Sequence, residues 1–305
     1  MLGDEVAQVR RFNRTVTQRV GALDDHYLAR ARPLGEARLL WEIGEDGRDV
    51  RALRARLELD SGYVSRLLRS LEAAGLVAVE PGAGDRRVRT VRLTEAGRAE
   101  RELLDRGSDE LAASFLAPLS PSQRQRLVAA MGEVERLLTA AMVDIGPVDP
   151  EHLHARHCMG EYAAELDRRL DGGFDEARSR PVDPEGLRPP RGVVLVATLH
   201  GEPIGCGSLR FKDGEPTEIK RLWVAPEARG LGVARRILGE LEATAAARHP
   251  VVRLDTNGAL TEAIALYRSS GYQEVEPFND EAYAHHWFAK RVGDQPPSSS
   301  GTTTT

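Results

Sequence analysis

Arg229-Gly-Leu-Gly-Val-Ala-Arg235 joins a strand-like run ending at Val224 to a helix-patterned stretch over about 232–247. Glycines at such a junction let backbone N–H groups close on an anion at a helix amino terminus, where the helix dipole adds to the attraction. The chemistry on offer is phosphate or pyrophosphate binding. No Gly-Lys-Ser/Thr follows, so this is not a nucleotide P-loop. A dinucleotide fingerprint fails as well, because its third glycine position is Arg235. Ala225–Arg229 also separate strand from glycine where that fingerprint needs a tight turn. Glycines that merely end a loop would read the same in isolation, so the surroundings decide.

A second group of residues offers phosphate and base contacts. Val64, Leu67, Leu68 and Leu71 form an i, i+3, i+4, i+7 stripe. The other side of that helix shows Ser61, Tyr63, Ser65, Arg66 and Arg69. Hydroxyls, a tyrosine and arginines on one helix face suit the major groove of DNA. Gly84-Asp-Arg-Arg-Val-Arg89 adds Arg86, Arg87 and Arg89 at a hairpin tip, which suits the narrow, electronegative minor groove.

The elements that position these residues differ between the two halves. Residues 1–142 read as helices near 4–30, 35–44 and 49–57, then the reader helix ending at Gly75. Strands at 76–80 and 88–93 form a hairpin, and helices near 94–116 and 121–142 close the half. Two helices across a short turn, then a basic hairpin, make a winged helix-turn-helix pattern. Asp49 is the expected N-cap of the third helix. Ser120-Pro-Ser-Gln123 is a capping box with proline at the first helical position. Pro147 and Pro150 break the pattern, so 143–150 reads as a linker. Residues 151–293 alternate strands and helices with tight hairpins at Gly201-Glu-Pro203 and Gly214-Glu-Pro216, an α/β (α+β) domain with a mixed sheet. The tail 294–305 is low-complexity and reads as disordered.

Composition sets bounds on the whole. A chain of 305 residues accommodates two domains. No apolar run approaches the ~20 residues of a membrane span, and the start lacks a signal-peptide pattern. Two cysteines, Cys158 and Cys206, stand in no zinc-ligand spacing. The expectation is a reduced, cytoplasmic protein without metal. The first 146 residues balance 23 Arg against 23 acids, so the net −5 lies in the remainder. Residues 48–98 hold 11 Arg against 7 acids, a local basic stretch able to meet phosphate. The acidic second half favours a cationic small amine over an acidic substrate.

Gly62-Tyr-Val-Ser-Arg-Leu-Leu-Arg-Ser-Leu-Glu-Ala-Ala-Gly-Leu-Val77, with Asp85, Arg87, Val91, Leu93, Thr94 and Gly97 in the pattern D-x-R then V-x-L-T-x-x-G, resembles the MarR family over residues 1–142. That resemblance implies a homodimer built from the terminal helices and reading a palindromic DNA site. Glu218-Ile-Lys-Arg-Leu-Trp-Val-Ala-Pro-Glu-Ala-Arg-Gly-Leu-Gly-Val-Ala234 resembles the GNAT acetyltransferases. Their signature Q/R-x-x-G-x-G/A is met by Arg229, Gly232 and Ala234. Asn257, Ala263-Ile-Ala-Leu-Tyr267 and Gly271-Tyr272 match a second signature.

The GNAT resemblance implies acetyl-CoA as cosubstrate. The amides of Gly230, Leu231, Gly232, Val233, Ala234 and Arg235 would hold its pyrophosphate, Trp223 and Val224 would pair with pantetheine, and Asn257 would touch CoA. Glu218 matches the family's general base and Tyr267 its general acid. The family usually opens with a strand, and the segment before His152 is a poor one. The expectation is a regulator and N-acetyltransferase in one chain, acting on a small amine or a protein lysine. The alternative is a regulator whose second domain only senses acetyl-CoA or an amine.

Overall fold

The structure is a computed structural model that describes residues 2–20, 28, 32–81, 89–175, 178–179 and 183–293. The chain divides into two compact units, Met1–Glu133 and Val134–Thr305.

In the first unit, α1 (Leu2–Arg19), α2 (Leu34–Ile43), β1 (Arg48–Asp49), α3 (Val50–Leu57) and α4 (Ser61–Ala73) precede the hairpin β2 (Val77–Pro81) and β3 (Arg89–Leu93). Helix α5 (Glu95–Leu116) follows, and α6 (Pro121–Ala141) begins there. Asp49 caps α3 by accepting from the amides of Arg51 and Ala52. Asp60 caps α4 through the amide of Tyr63. The stripe Val64, Leu67, Leu68 and Leu71 is buried as its periodicity requires, against Leu39, Leu40, Ile43 and Leu53. The sheet order is β1-β3-β2, all antiparallel. Gly97 is required by close approach: a Cβ there would lie 1.9 Å from the Leu76 carbonyl oxygen. Thr94 locks the same corner, its hydroxyl donating to the Gly75 carbonyl and accepting from the Gly97 amide. The capping box forms in both directions between Ser120 and Gln123.

The second unit is a seven-stranded sheet. Its strands are β4 (Val143–Val148), β5 (Gly192–Leu199), β6 (Glu202–Arg210), β7 (Thr217–Val224), β8 (Val251–Thr256), β9 (Gln273–Glu274) and β10 (His286–Arg291). Helices α7 (Leu153–Arg169), α8 (Val233–Ala246) and α9 (Thr261–Ser269) cover it. The order is β4-β5-β6-β7-β8-β10-β9, and only β7 and β8 run parallel. Along β6 a Cβ on Gly205 or Gly207 would meet Ile237 and Leu241 of α8, whereas Cys206 lies against Cys158 of α7. Alternate residues of a strand point to opposite faces, so α7 and α8 flank the sheet on two sides.

Residues 143–148, expected as part of a linker, instead form β4, in register with β5 from Val143↔Leu199 to Val148↔Val194. Pro147 is tolerated because β4 is an edge strand, whose outward N–H positions carry no ladder bond. The opening strand of the sheet is therefore present.

Candidate functional site

Strands β7 and β8 pair only at Thr217↔Val252 and Glu218↔Arg253. Beyond that point no β7–β8 pairing is present among the described residues. At the end of β7 lies a cleft of about 510 Å³, walled by α7, the start of α8 and α9. Its floor is Leu222–Val224, and one wall is the loop into α8. Gly230 and Gly232 have φ of 83° and 76°, left-handed backbone that side chains rarely adopt. Gly232 is the N-cap of α8 and no side chain caps the helix, so its first amides face outward. A Cβ on either glycine would meet nothing within 4 Å, so it would project into open space at the loop. The loop is a candidate anion cradle, and a side chain at either glycine would project into the open space beside it.

Of the loop residues expected to bind, Arg229, Gly230, Gly232, Val233, Ala234 and Arg235 line the cleft, as do Trp223 and Val224. Leu231 does not; its side chain packs on the hydrophobic core. Asn257 does not either. Its amide donates to the Tyr283 carbonyl, its oxygen accepts from the Ala259 amide, and it lines a second, smaller cavity.

Helix α7 supplies groups that neither signature includes. Tyr162, Glu165, Leu166 and Arg169 fall at i, i+3, i+4, i+7 and all line the cleft. That spacing is the signal the sequence carries for them. Glu165, buried, accepts from Trp223 Nε1 at 2.9 Å, Arg229 Nη2 at 2.6 Å and Arg169 Nη1 at 3.3 Å. It fixes both arginines beside the cradle. Arg229 Nε also donates to the Val224 carbonyl, tying the loop to the end of β7.

The second cavity, about 100 Å³, shares a wall with the first: Tyr162 and Tyr267 line both. Burial raises the Tyr267 phenol well above its ordinary value and keeps it protonated. Burial raises Tyr162 likewise, with Arg221 pulling weakly the other way. Asp255, at the open end of β8, lines the small cavity. Lys220 Nζ donates to its Oδ1 at 2.5 Å and Asn279 Nδ2 at 2.9 Å, while Oδ2 meets no donor among the described residues.

Glu218, expected as general base, is elsewhere. It lines neither cavity, and only 2% of the residue is exposed. Arg253 Nη2 donates to its Oε1 at 2.7 Å and Lys212 Nζ at 3.4 Å. Burial alone would raise its pKa, but the Arg253 hydrogen bond and the nearby Lys220 and Lys212 outweigh it and lower the value.

In the first unit, Ser61, Tyr63, Ser65, Arg66 and Arg69 are all exposed on α4, opposite its buried stripe. Arg66 stacks over the Tyr63 ring at 5.7 Å, and Arg69 Nε donates to the Ser65 carbonyl. Arg89 is exposed where β3 pairs with Pro81. Arg86 and Arg87 lie outside the described residues. No group of three or more metal-ligating side chains, and no helix long and apolar enough to cross a membrane, occurs among the described residues.

Comparison with known proteins agrees with this geometry. Residues 190–274 match the acetyltransferase (GNAT) domain family. An IAA acetyltransferase of Azospirillum brasilense is 35% identical over 116 residues, 37% of this chain and 76% of that protein. The chain belongs to the GNAT acetyltransferases. An uncharacterized N-acetyltransferase of Schizosaccharomyces pombe is 34% identical over 107 residues, 34% of this chain and 64% of that one. A solved chain from Klebsiella pneumoniae, assigned as an acyl-CoA N-acyltransferase, is 25% identical with a TM-score of 0.42, covering 50% of this chain and 99% of that one. Residues 32–88 match the MarR family. A MarR-like region is thus fused to a GNAT acetyltransferase domain, a family whose members use acyl-CoA and an amine acceptor.

Proposed function

We propose that this chain is a transcriptional regulator and a working N-acetyltransferase, with acetyl-CoA as the acyl donor and a primary amine as acceptor. The observation that carries the reading is the shared wall: Tyr162 and Tyr267 line both the large cleft and the small cavity. A donor in one and an acceptor in the other meet at these two phenols. The α8 amides and Arg229, Arg169 and Arg235 hold the pyrophosphate and ribose phosphate end. The unpaired edge of β7 at Trp223 and Val224 receives the pantetheine arm. Bound there, the thioester supplies an activated acyl carbon.

The remaining steps are proton transfers on the chain's own groups. Asp255, a carboxylate on the small cavity's wall beside Lys220, takes the proton that the amine loses as its nitrogen bonds to the acyl carbon. Tyr267 Oη gives a proton to the departing sulfur and is later reprotonated from solvent. Glu218 acts through structure, fastening β7 to β8.

The first unit binds duplex DNA through α4 and the hairpin. Val6, Val9, Phe12 and Val16 on α1 are exposed, as are Val128 and Met131 on α6. Such apolar rows suit the seam of a homodimer, which would read a palindromic operator. The proposed setting is the cytoplasm, where both DNA and acetyl-CoA are available.

Steady-state release of CoA over an amine panel tests the reading. Amine-dependent release is expected. CoA binding without release on any amine would leave only the sensing role.

A further inference from the structure

Resting on the acyltransferase reading, we infer that the acceptor is an amine that also carries a carboxylate, an amino-acid-like zwitterion, whose carboxylate is bound by Arg221 and Arg210 in the small cavity.

Three cations, Lys220, Arg210 and Arg221, and two acids, Asp255 and Glu281, line that cavity. Lys220 is matched to Asp255 at 2.5 Å. Arg210 and Arg221 also line the cavity, and neither meets a carboxylate among the described residues. Arg210 makes no side-chain hydrogen bond among those residues, and Arg221 reaches only the Met159 sulfur, at 3.6 Å. Elsewhere in this unit half-buried arginines are paired: Arg169 with Glu165 and Glu262, and Arg253 with Glu215 and Glu218. A half-buried guanidinium without an anion has lost part of its hydration for nothing, unless the anion arrives with the ligand.

The backbone aims one of them. Between Cys206↔Trp223 and Ser208↔Lys220 the register shifts, so two residues of β7, Arg221 and Leu222, oppose Gly207 alone. Arg221 takes φ of 55°, left-handed backbone uncommon for a side chain of its size. The bulge turns consecutive residues Lys220, Arg221 and Leu222 toward the same cavity, which a regular strand with alternating faces would not do.

The planar fork of a guanidinium matches a carboxylate in two parallel hydrogen bonds. A cavity of about 100 Å³ leaves room for a small molecule whose two charged ends are close together. Its ammonium end would face Asp255 and Tyr267, its carboxylate end the two arginines. The net charge of the whole chain is therefore a poor guide to the acceptor, whose proposed cavity sets three cations beside Asp255 and Glu281.

The test uses the full chain with acetyl-CoA and a panel of amino acids of graded size. Each is paired with its amide and its decarboxylated amine, and O-phosphoethanolamine is added. The carboxylated member of the preferred pair should exceed its amide by roughly 10- to 100-fold in kcat/KM, as a charge-assisted contact implies. Arg221→Met and Arg210→Met should each collapse that ratio, with CoA affinity by calorimetry unchanged as the check on folding. Amides or decarboxylated amines used equally well, a preference for the phosphorylated amine, or a ratio that survives both substitutions would overturn the inference while leaving the acyltransferase intact. Bound CoA with no transfer to any amine would sink the acyltransferase reading and this inference together.

Discussion

The two ends of the β7–β8 pair place carboxylates in opposite circumstances. At the joined end Glu218 sits in register with Arg253 and is caged by it and Lys212. At the open end the strands have parted, and Asp255 and Tyr267 face cavities. Glu218 is the residue that the motif marks, yet of the two only Asp255 lines a cavity. A carboxylate's role follows from what the neighbouring strand sets opposite it, and a linear motif does not contain that information.

The largest effect should come at the open end. Gly232→Val puts a β-branched side chain on left-handed backbone, costing about 1–3 kcal/mol, and fills the anion's space. CoA affinity should fall by roughly 100-fold or more, since every 1.4 kcal/mol is tenfold. Retained affinity by calorimetry would move the pyrophosphate away from α8.

Tyr267→Phe removes the hydroxyl at the shared wall while keeping the ring packed on Tyr272 and Phe288. A fall in kcat of about 10- to 100-fold with little change in CoA affinity is expected. An equal loss in both would make Tyr267 a packing residue.

The joined end should answer in stability. Glu218→Gln leaves Arg253 with Glu215 but removes a buried, paired charge, at a cost of about 1–3 kcal/mol. Because the folded-state pKa of Glu218 is lowered, its contribution is fully present above the ordinary value of 4.5 and is lost as pH falls through the folded value. Denaturant melts of wild type and variant should therefore converge at acid pH. A constant gap across pH would show that the charge is not what the site uses.

Exposed cations provide the counter-case to buried ones. Arg66→Ala or Arg69→Ala should cost about 1–3 kcal/mol on the cognate operator if they read bases, and less on random DNA. A substitution that instead removes a bond to phosphate should lower the salt slope by about one unit. Fluorescence anisotropy over a salt series reads both, and unchanged binding by the double variant would remove α4 from the DNA surface.

What the sequence disclosed follows the same division between local and distant causes. The α4 stripe, the caps at Asp49 and Ser120 and the glycine loop depend on neighbours a few residues away, and their patterns were readable. β4 was hidden because Pro147 and Pro150 read as breakers, and only a place at the sheet edge makes Pro147 harmless. The Glu218–Arg253 pair spans 35 residues and depends on which strands become neighbours. Tyr162 and Glu165 were legible as one helix face, but their meaning required knowing that α7 borders the cleft.

If proton chemistry belongs to the open end of the strand pair, Asp255 and Glu218 must respond differently to loss of charge. The comparison to make is kcat/KM at neutral pH for Asp255→Asn and Glu218→Gln, each assayed well below its melting temperature. Asp255→Asn should lose roughly 100-fold, a loss that shrinks as pH rises and the amine deprotonates in solution, with Glu218→Gln within several-fold of wild type. A Glu218→Gln enzyme that is folded, binds CoA and is nearly inactive at neutral pH, beside an active Asp255→Asn enzyme, would contradict it.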